Sequence, residues 1–449
     1  MFNFSAINLG CTKNLVDLEF FLGEILKENW NLEKSKEKIE FNFYENPEDE
    51  QVEYVIINTC WFLSSSRDEA EEIMSYYDNL GKKLIIIGCY TQVKNDEFLE
   101  NLKNLVQVLS YKDFERLKNL SDKRKIFQEK INKIKLQNFE KSIGEKAFIY
   151  DSKKVRAFFN ADYWYEYLKI AEWCNNSCSF CIIPQIRWKQ ISRTIEDILK
   201  EVKIMLKNGI KEIQIISQDT TRYWVDLYKK AMLLDLLEEI DKIPGDFKYR
   251  VYYIYPDILT FSNLERLKKL KKMIAYFDFP FQHISRKVLK NMGRFYDENH
   301  IHKILDFIKN NWENPYIHTN FIIWFPGETE KDFQELIDFA KKYEFQSVGV
   351  FGYHDEPLAK SYKLENKIDD KTINVRVAKM KKVLDKIYLK QEKERKKEKQ
   401  IWFIHEIWEN FLVVRPEIKA PEVDFYDEIS FKKIISWKLE IGEKVEYML

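Results

Sequence analysis

The chain has 449 residues, enough for two to four domains with real cores, and its 45% hydrophobic and 33% charged shares are those of an ordinary globular protein. Its 73 basic residues are balanced by 73 acidic ones, which excludes a global field that recruits nucleic acid and leaves any such contact local. No apolar run approaches the roughly 18 residues that span a bilayer, and the first residues have neither the basic start nor the cleavage site of a leader, so the expected location is the cytoplasm, away from membranes. In that reducing compartment the six cysteines are expected as metal or catalytic ligands rather than disulfides.

From the N-terminus, β-branched runs alternate with helical patterns: a strand at Asn3–Leu9, a helix from Val16 to Glu28, a strand at Tyr54–Asn58, a helix from Arg67 to Leu80 and a strand at Leu84–Gly88. Strands with helices between them predict parallel βαβ units and an open α/β sheet. Cys11, Cys60 and Cys89 each fall at or just past the end of one of these strands. Ligands bind at that edge of open α/β sheets, so separations of 49 and 29 residues collapse to one rim. Three unrelated buried cysteines are the bland alternative, since free cysteine packs well in cores. Gly10 and Gly88, each directly before its cysteine, suit tight turns that let backbone approach a ligand.

Between Asn119 and Ala161 the pattern weakens and lysines accumulate, which predicts a connector with some helix. The alternation then resumes, with strands at Tyr167–Glu172, Glu212–Ser217, Tyr249–Tyr255, Met273–Phe279, His318–Phe325 and Val348–Tyr353, and helices including Ile195–Lys207, Tyr228–Lys242 and Leu259–Leu270. Six βα units are too few to close an eight-stranded barrel and fit a partial one with chemistry at the strand C-termini. Polar residues recur there, Gln218 and Asp219, Gln282 and His283, although Thr329 ahead of Glu330 and Asp332 could simply start a helix. A Lys-rich helix is expected from Lys371 to Gln400, and after it short runs at Phe411–Val414, Glu428–Phe431 and Lys444–Tyr447 predict a small antiparallel β-barrel.

The most informative stretch is Cys174-Asn175-Asn176-Ser177-Cys178-Ser179-Phe180-Cys181, just past the strand at Tyr167–Glu172. Three thiolates on one tight loop hold three corners of a metal cluster and leave a fourth without a protein ligand. Structural zinc wants four ligands, and no further Cys or His lies within thirty residues on either side.

The loop resembles the Cys-x-x-x-Cys-x-x-Cys signature of radical S-adenosylmethionine (SAM) enzymes, including the aromatic Phe180 before the last cysteine. The order of parts resembles the methylthiotransferases of that superfamily: 1–120 with a three-cysteine set, a connector at 121–161, a radical SAM core at 162–390 and a TRAM-like terminal barrel at 391–449. The stretch Gly10-Cys11-Thr12-Lys13-Asn14-Leu15-Val16-Asp17-Leu18-Glu19 is similar to the branch that modifies an aspartate of the twelfth small-subunit ribosomal protein. Gln218-Asp219-Thr220-Thr221-Arg222-Tyr223 and Ala420-Pro421-Glu422-Val423-Asp424 fit the same group. The terminal barrel adds a weaker hint, since 401–449 holds six basic against ten acidic residues, a charge that phosphate repels and a basic ribosomal protein attracts.

The resemblance implies two [4Fe-4S] clusters. One, on Cys174, Cys178 and Cys181, binds SAM and generates the 5′-deoxyadenosyl radical; the other, on Cys11, Cys60 and Cys89, presents sulfur that is methylated from a second SAM and transferred to the β-carbon of the aspartate. Phe180, Arg193 and Gln218 are the candidate SAM contacts. An electron donor such as flavodoxin or ferredoxin is implied, and nucleic-acid contact only through the ribosome. Two alternatives stay open, the same chemistry on an adenosine of transfer RNA and a non-enzymatic zinc-binding interaction module.

One feature departs from the pattern. The chain has 12 Gly and 11 Trp, where ordinary glycine usage of roughly 7% predicts about 31. Trp61, Trp173, Trp188, Trp224 and Trp324 stand beside the cysteine and strand-end motifs, where the family carries glycine. The expectation is that most of these positions are encoded by UGA in an organism that decodes it as glycine. Ile191, His354 and Pro357 are further departures.

Overall fold

Two apolar runs rich in β-branched residues, Val55-Ile56-Ile57 and Leu84-Ile85-Ile86-Ile87, lie at the heart of the first sheet because a parallel strand covered on both faces needs no polar side. The sheet belongs to a computed structural model that describes residues 2–32, 41–93, 95–109, 147–151, 154–157, 164–186, 189–395, 399–408, 411–421, 423–424, 426–430 and 444–448. Contacts divide the chain into two units, 1–161 with 185–188, and 162–184 with 189–449.

In the first unit β1 (Phe2–Asn8), β2 (Phe41–Phe43), β3 (Tyr54–Thr59), β4 (Lys83–Gly88) and β5 (Leu105–Val108) form a parallel sheet in the order β2-β1-β3-β4-β5. The chain reverses direction across the sheet between β1 and β3, the switch point at which doubly wound sheets open a crevice beyond the strand C-termini. Helices Thr12–Leu32 and Ser64–Asn79 follow β1 and β3, in keeping with the expected alternation. The connector carries a feature that its lysines concealed, a hairpin of β6 (Ala147–Asp151) and β7 (Lys154–Ala157). Fully buried Arg156 on β7 is paired with fully buried Glu19 on the first helix, Nε to Oε2 at 2.9 Å, so a partner 137 residues away holds this segment down. The helix expected somewhere in the connector, Asn119–Ala161, does not fall on its described parts, 147–151 and 154–157, which are strand, and the rest of the connector lies outside the described residues.

The second unit is a six-stranded parallel sheet of β8 (Tyr165–Lys169), β11 (Glu212–Ile216), β12 (Lys248–Val251), β13 (Met273–Gln282), β14 (Tyr316–Ile323) and β15 (Ser347–Gly352), in the order β15-β14-β13-β12-β11-β8. A short antiparallel pair, β9 (Ala171–Glu172) with β10 (Ile191–Ser192), flanks it. The helix at Ile195–Lys207 starts where expected, its Thr194 hydroxyl accepting the Asp197 N–H. Thr329 does start a helix, Glu330–Tyr343, with a reciprocal cap to Asp332. The single helix expected over Tyr228–Lys242 is instead two, Val225–Tyr228 and Leu233–Asp241, because Lys229 takes a left-handed φ of 56° and the Met232 N–H turns back to the Tyr223 carbonyl at 2.9 Å.

The long helix ends at Arg395 rather than Gln400, since 399–407 is recruited into a four-stranded antiparallel sheet. That sheet runs β18-β17-β16-β19, from β16 (Lys399–Ile407), β17 (Phe411–Pro416), β18 (Asp427–Ser430) and β19 (Lys444–Met448). Inter-strand pairing overrides local helix preference here. The sheet packs on the N-terminal ends of the parallel strands. Glu212, the first residue of β11, receives Arg415 from β17 at 2.8 Å and Arg250 from β12 at 3.3 Å, and all three side chains are fully buried. Both guanidiniums also donate to the Lys419 carbonyl, Trp164 stacks on Phe403 at 4.0 Å, and the Tyr316 hydroxyl donates to Asp424 at 3.0 Å.

Burial pushes the Glu212 carboxyl up, but Arg415 and Arg250 outweigh it and hold its pKa below the ordinary carboxylate range. A depressed folded-state value means stability that is complete at neutral pH and lost as pH falls below the ordinary glutamate value of about 4.3. Glu212→Ala, which strands two buried cations, is expected to cost about 3–5 kcal/mol. Chemical denaturation at pH 7 measures that loss, and the same experiment at falling pH should show the two proteins converge.

Candidate functional site

The first unit gathers its cysteines by topology. Cys11 follows β1 and opens the helix, Cys60 follows β3, and Cys89 follows β4. The turns that carry them are tight enough to demand glycine: Gly88 has φ +95°, and a Cβ there would lie 2.4 Å from the Thr59 carbonyl, while one on Gly10 would lie 2.4 Å from Asn14. Asn14, 1% exposed, touches all three loops. Its Nδ2 donates to the Thr59 carbonyl at 2.9 Å and sits 3.6 Å from Cys89 Sγ, and its Oδ1 accepts from Cys11 Sγ at 3.3 Å. Asn58 Nδ2 donates to the Asn14 carbonyl at 2.6 Å and to Asn8 Oδ1 at 2.8 Å, so an asparagine ladder ties β1, β3 and the helix together. Burial raises the Cys60 pKa, and the neighbouring Cys89 and Cys11 raise it further. The Phe62 N–H, in turn, points at Cys60 Sγ from 3.5 Å.

The second trio rides one loop, and that loop is fastened by its backbone. The Ser179 N–H donates to the Met292 carbonyl at 2.9 Å, its hydroxyl to the Asn291 carbonyl at 2.7 Å, and its carbonyl accepts from the Ser361 N–H at 2.8 Å. Asn176 Nδ2 donates to Asp219 at 2.6 Å, which joins the loop to the end of β11, and the Asn176 N–H points at Cys174 Sγ from 3.4 Å. Tyr255 Oη lies 2.8 Å from Cys178 Sγ. Burial, followed by the neighbouring thiols, pushes Cys181 up to about 12, and burial followed by Asp219 does the same for Cys174. Both are therefore thiols at neutral pH, and iron must displace their protons on binding.

All six cysteines are free of disulfides. Among the described residues no three Cys, His, Asp or Glu side chains converge on a single metal ion. A four-iron cube spreads its thiolate ligands more widely than one ion does. Backbone and amide N–H groups aimed at the sulfurs are also the donors by which proteins tune such clusters, so each set fits a [4Fe-4S] group with one iron left open.

The three candidate SAM contacts fare differently. Gln218, just past the C-terminal end of β11, has a buried Oε1 with no hydrogen-bond partner among the described residues, the mark of an acceptor that awaits a ligand. Phe180 packs beside Phe325 and the cluster of Val288, Met292 and Tyr353. Arg193 is committed elsewhere, to Asp197 at 2.7 Å, Glu201 at 2.6 Å and the Lys169 carbonyl at 2.8 Å, which makes it a clamp between β8 and the following helix. Asn14 and Asn176 stand inside the cysteine motifs without a role read from sequence, whereas Tyr255 is among the polar strand-end residues that the sequence marks. Of those two asparagines only Asn14, three residues after Cys11 on the first turn of a helix, had a spacing that signals it.

A family model described as Radical SAM superfamily matches residues 168–340, and one described as Uncharacterized protein family UPF0004 matches residues 3–110. The fold agrees: the radical SAM methyltransferase TsrM of Kitasatospora setae, solved with cobalamin and a [4Fe-4S] cluster, superposes with a TM-score of 0.55 at 13% identity, over 80% of this chain and 77% of that one. The chain is a radical SAM enzyme, with SAM and [4Fe-4S] as its cofactors. It is 36% identical to the ribosomal protein uS12 methylthiotransferase RimO of Dictyoglomus thermophilum, over 81% of this chain and 78% of that one, and 34% identical to that of Carboxydothermus hydrogenoformans, over 99% and 95%. It belongs to the RimO methylthiotransferase family.

The tryptophans bear on both sites. Trp173, Trp224 and Trp324 have φ of 62°, 73° and 63°, in the left-handed region where a bulky side chain is an outlier and glycine is at home. Trp173 directly precedes Cys174, Trp224 follows the Gln218–Tyr223 motif, and Trp324 leads into Phe325-Pro326-Gly327. The indole N–H groups of Trp61, Trp224 and Trp324 are buried without a partner among the described residues. Trp61 itself is in no such conformation and packs edge-on against Tyr90 at 4.7 Å, and Trp188 lies outside the described residues.

Two outcomes follow. Asn14→Ala should cost the first unit its iron while the Cys174 loop keeps its own, read by iron and sulfide analysis beside a Cys11→Ala control. Replacing a buried tryptophan with a small residue ordinarily destabilises by about 3–5 kcal/mol. Relief of left-handed strain, worth about 1–2 kcal/mol per residue, and of the unpaired indole should cancel much of that for Trp224→Gly and Trp324→Gly. Peptides spanning 173, 224 and 324, sequenced by mass spectrometry from the source cells, should carry glycine; tryptophan there ends the reassignment.

Proposed function

We propose that the protein methylthiolates the β-carbon of an aspartate in ribosomal protein uS12, in the cytoplasm, with electrons from an external donor such as flavodoxin or ferredoxin. What carries the reading is the similarity to uS12 methylthiotransferases over 99% of the chain, with a cysteine trio at the strand C-termini of each unit. In this assignment Cys174, Cys178 and Cys181 hold the cluster that binds SAM, and Cys11, Cys60 and Cys89 hold the auxiliary one. When bound, these cofactors supply reductive cleavage of SAM, hydrogen abstraction from an unactivated carbon, and the sulfur that is methylated and delivered.

The protein's own residues do the positioning. Asn176 and Ser179 hold the cysteine loop open toward the strand ends, Gln218 offers an unpaired acceptor to SAM, and Phe180 supplies an apolar wall. Asn14 sets the spacing of the auxiliary trio.

The test is anaerobic reconstitution with SAM, reductant and uS12, free or in the small subunit, read by intact mass. Wild-type protein should add one methylthio group to uS12 and none to transfer RNA offered in parallel. Cys11→Ala should lose about half the iron and all sulfur insertion while still cleaving SAM, and Cys178→Ala should lose both activities. Modification of transfer RNA instead, or a colourless protein holding zinc without iron or sulfide, would overturn the reading.

A further inference from the structure

Arg294 is the charged group that the proposed reaction leaves unused. It is 5% exposed, its charge cannot be removed by deprotonation, and its Nε and Nη1 have no hydrogen-bond partner among the described residues. The Tyr296 hydroxyl is a hydrogen-bond partner, the rings of Tyr255 and Phe180 cover it, and among the described residues no carboxylate pairs with it. A lone buried guanidinium is costly, so its place calls for an anion that belongs there.

That place is fixed against the cysteine loop. Gly293 has φ +73°, and a Cβ on it would lie 2.7 Å from the Ser177 carbonyl, so backbone meets backbone. The carbonyls of Asn291 and Met292 take both hydrogen bonds offered by Ser179. The guanidinium then lies 4.1 Å from the Tyr255 ring centre and 5.5 Å from that of Phe180. Tyr255 touches Cys178, and Phe180 directly precedes Cys181.

We propose that Arg294 is the buried counter-cation of the cluster on Cys174, Cys178 and Cys181, a positioning residue that raises the cluster's reduction potential. The inference rests on the assignment of a cluster to that loop. Three thiolates give the ligated cluster net negative charge, and reduction adds one more. A fixed positive charge in a water-poor pocket favours the more negative state and eases electron uptake before SAM is cleaved. The planar guanidinium between two rings is held where a lysine would wander.

The test is an EPR-monitored potentiometric titration of full-length protein in which Cys11, Cys60 and Cys89 are alanine, so that one cluster titrates, with Arg294→Gln, Arg294→Met and Arg294→Lys in that background. Each neutral variant is expected to show at least a tenfold fall in reduced cluster at fixed poise, a midpoint lower by 59 mV or more for one electron, with Lys restoring part of it. Either neutral variant suffices if the other fails to load iron. Potentials unchanged in loaded variants overturn the counter-cation, and an unchanged potential with weakened SAM binding reassigns the arginine to the SAM carboxylate. A background without iron on this loop overturns the loop assignment, and the counter-cation with it.

Discussion

The first unit depends on one amide. Asn14 bridges three loops that are 49 and 29 residues apart in sequence between successive cysteines, and it does so from the first turn of a helix whose start is set by β1. A planar carboxamide has a donor end and an acceptor end, which lets one side chain face a thiol and a backbone carbonyl at once. Aspartate would have no N–H for the Thr59 carbonyl, and glutamine would need an extra methylene in a site already closed by Gly10 and Gly88. The parallel sheet brings the cysteines to one rim, and the amide sets their spacing there.

The second unit solves the same problem differently. Its three cysteines are neighbours in sequence, so the fold has no need to gather them and instead keeps the loop from collapsing. Ser179 spends its N–H, hydroxyl and carbonyl on three backbone groups from 291, 292 and 361. At the opposite ends of the same strands, Glu212 with Arg250 and Arg415 fastens the terminal sheet. The parallel strands thus carry chemistry at one end and a structural ion cluster at the other. That division matches the general rule that strand C-termini are the working face of such folds and the N-terminal face serves stability.

Much of this was legible from residue patterns. The strands at Tyr54–Thr59, Lys83–Gly88 and Glu212–Ile216 are rich in β-branched residues and buried along nearly their whole length, as a parallel sheet covered on both faces requires. The cysteine loop announces itself because its ligands are local. What stayed hidden depends on partners remote in sequence. The β6–β7 hairpin has few strand signals, and its Arg156 reads as a surface charge until Glu19 is placed beside it. Arg193 looked available for a ligand, yet its acceptors are Asp197 and Glu201 on the next helix. Arg294 gave no signal at all, since nothing in its neighbourhood in sequence says that it is buried with no carboxylate paired to it among the described residues.

The thiols themselves show how the sites are built to receive iron. Cys174 and Cys181, both partly buried, are pushed up to about 12, so the protein holds neutral sulfur there rather than bare thiolate. Were the loop positioned by its sulfurs, as in small zinc modules that unfold without metal, loss of the cluster would release it. Here the positions come from Ser179, Asn176 and the Gly293 contact, none of which requires iron. Binding energy is therefore not consumed in ordering the loop, and the cost that remains is the expulsion of protons from these thiols. A left-handed Trp173 directly before Cys174 works against that economy, because it places strain in the one segment whose geometry the cluster needs ready-made. Glycine at that position removes the conflict between backbone and side chain, which is why the composition anomaly and the cluster geometry point to the same residue.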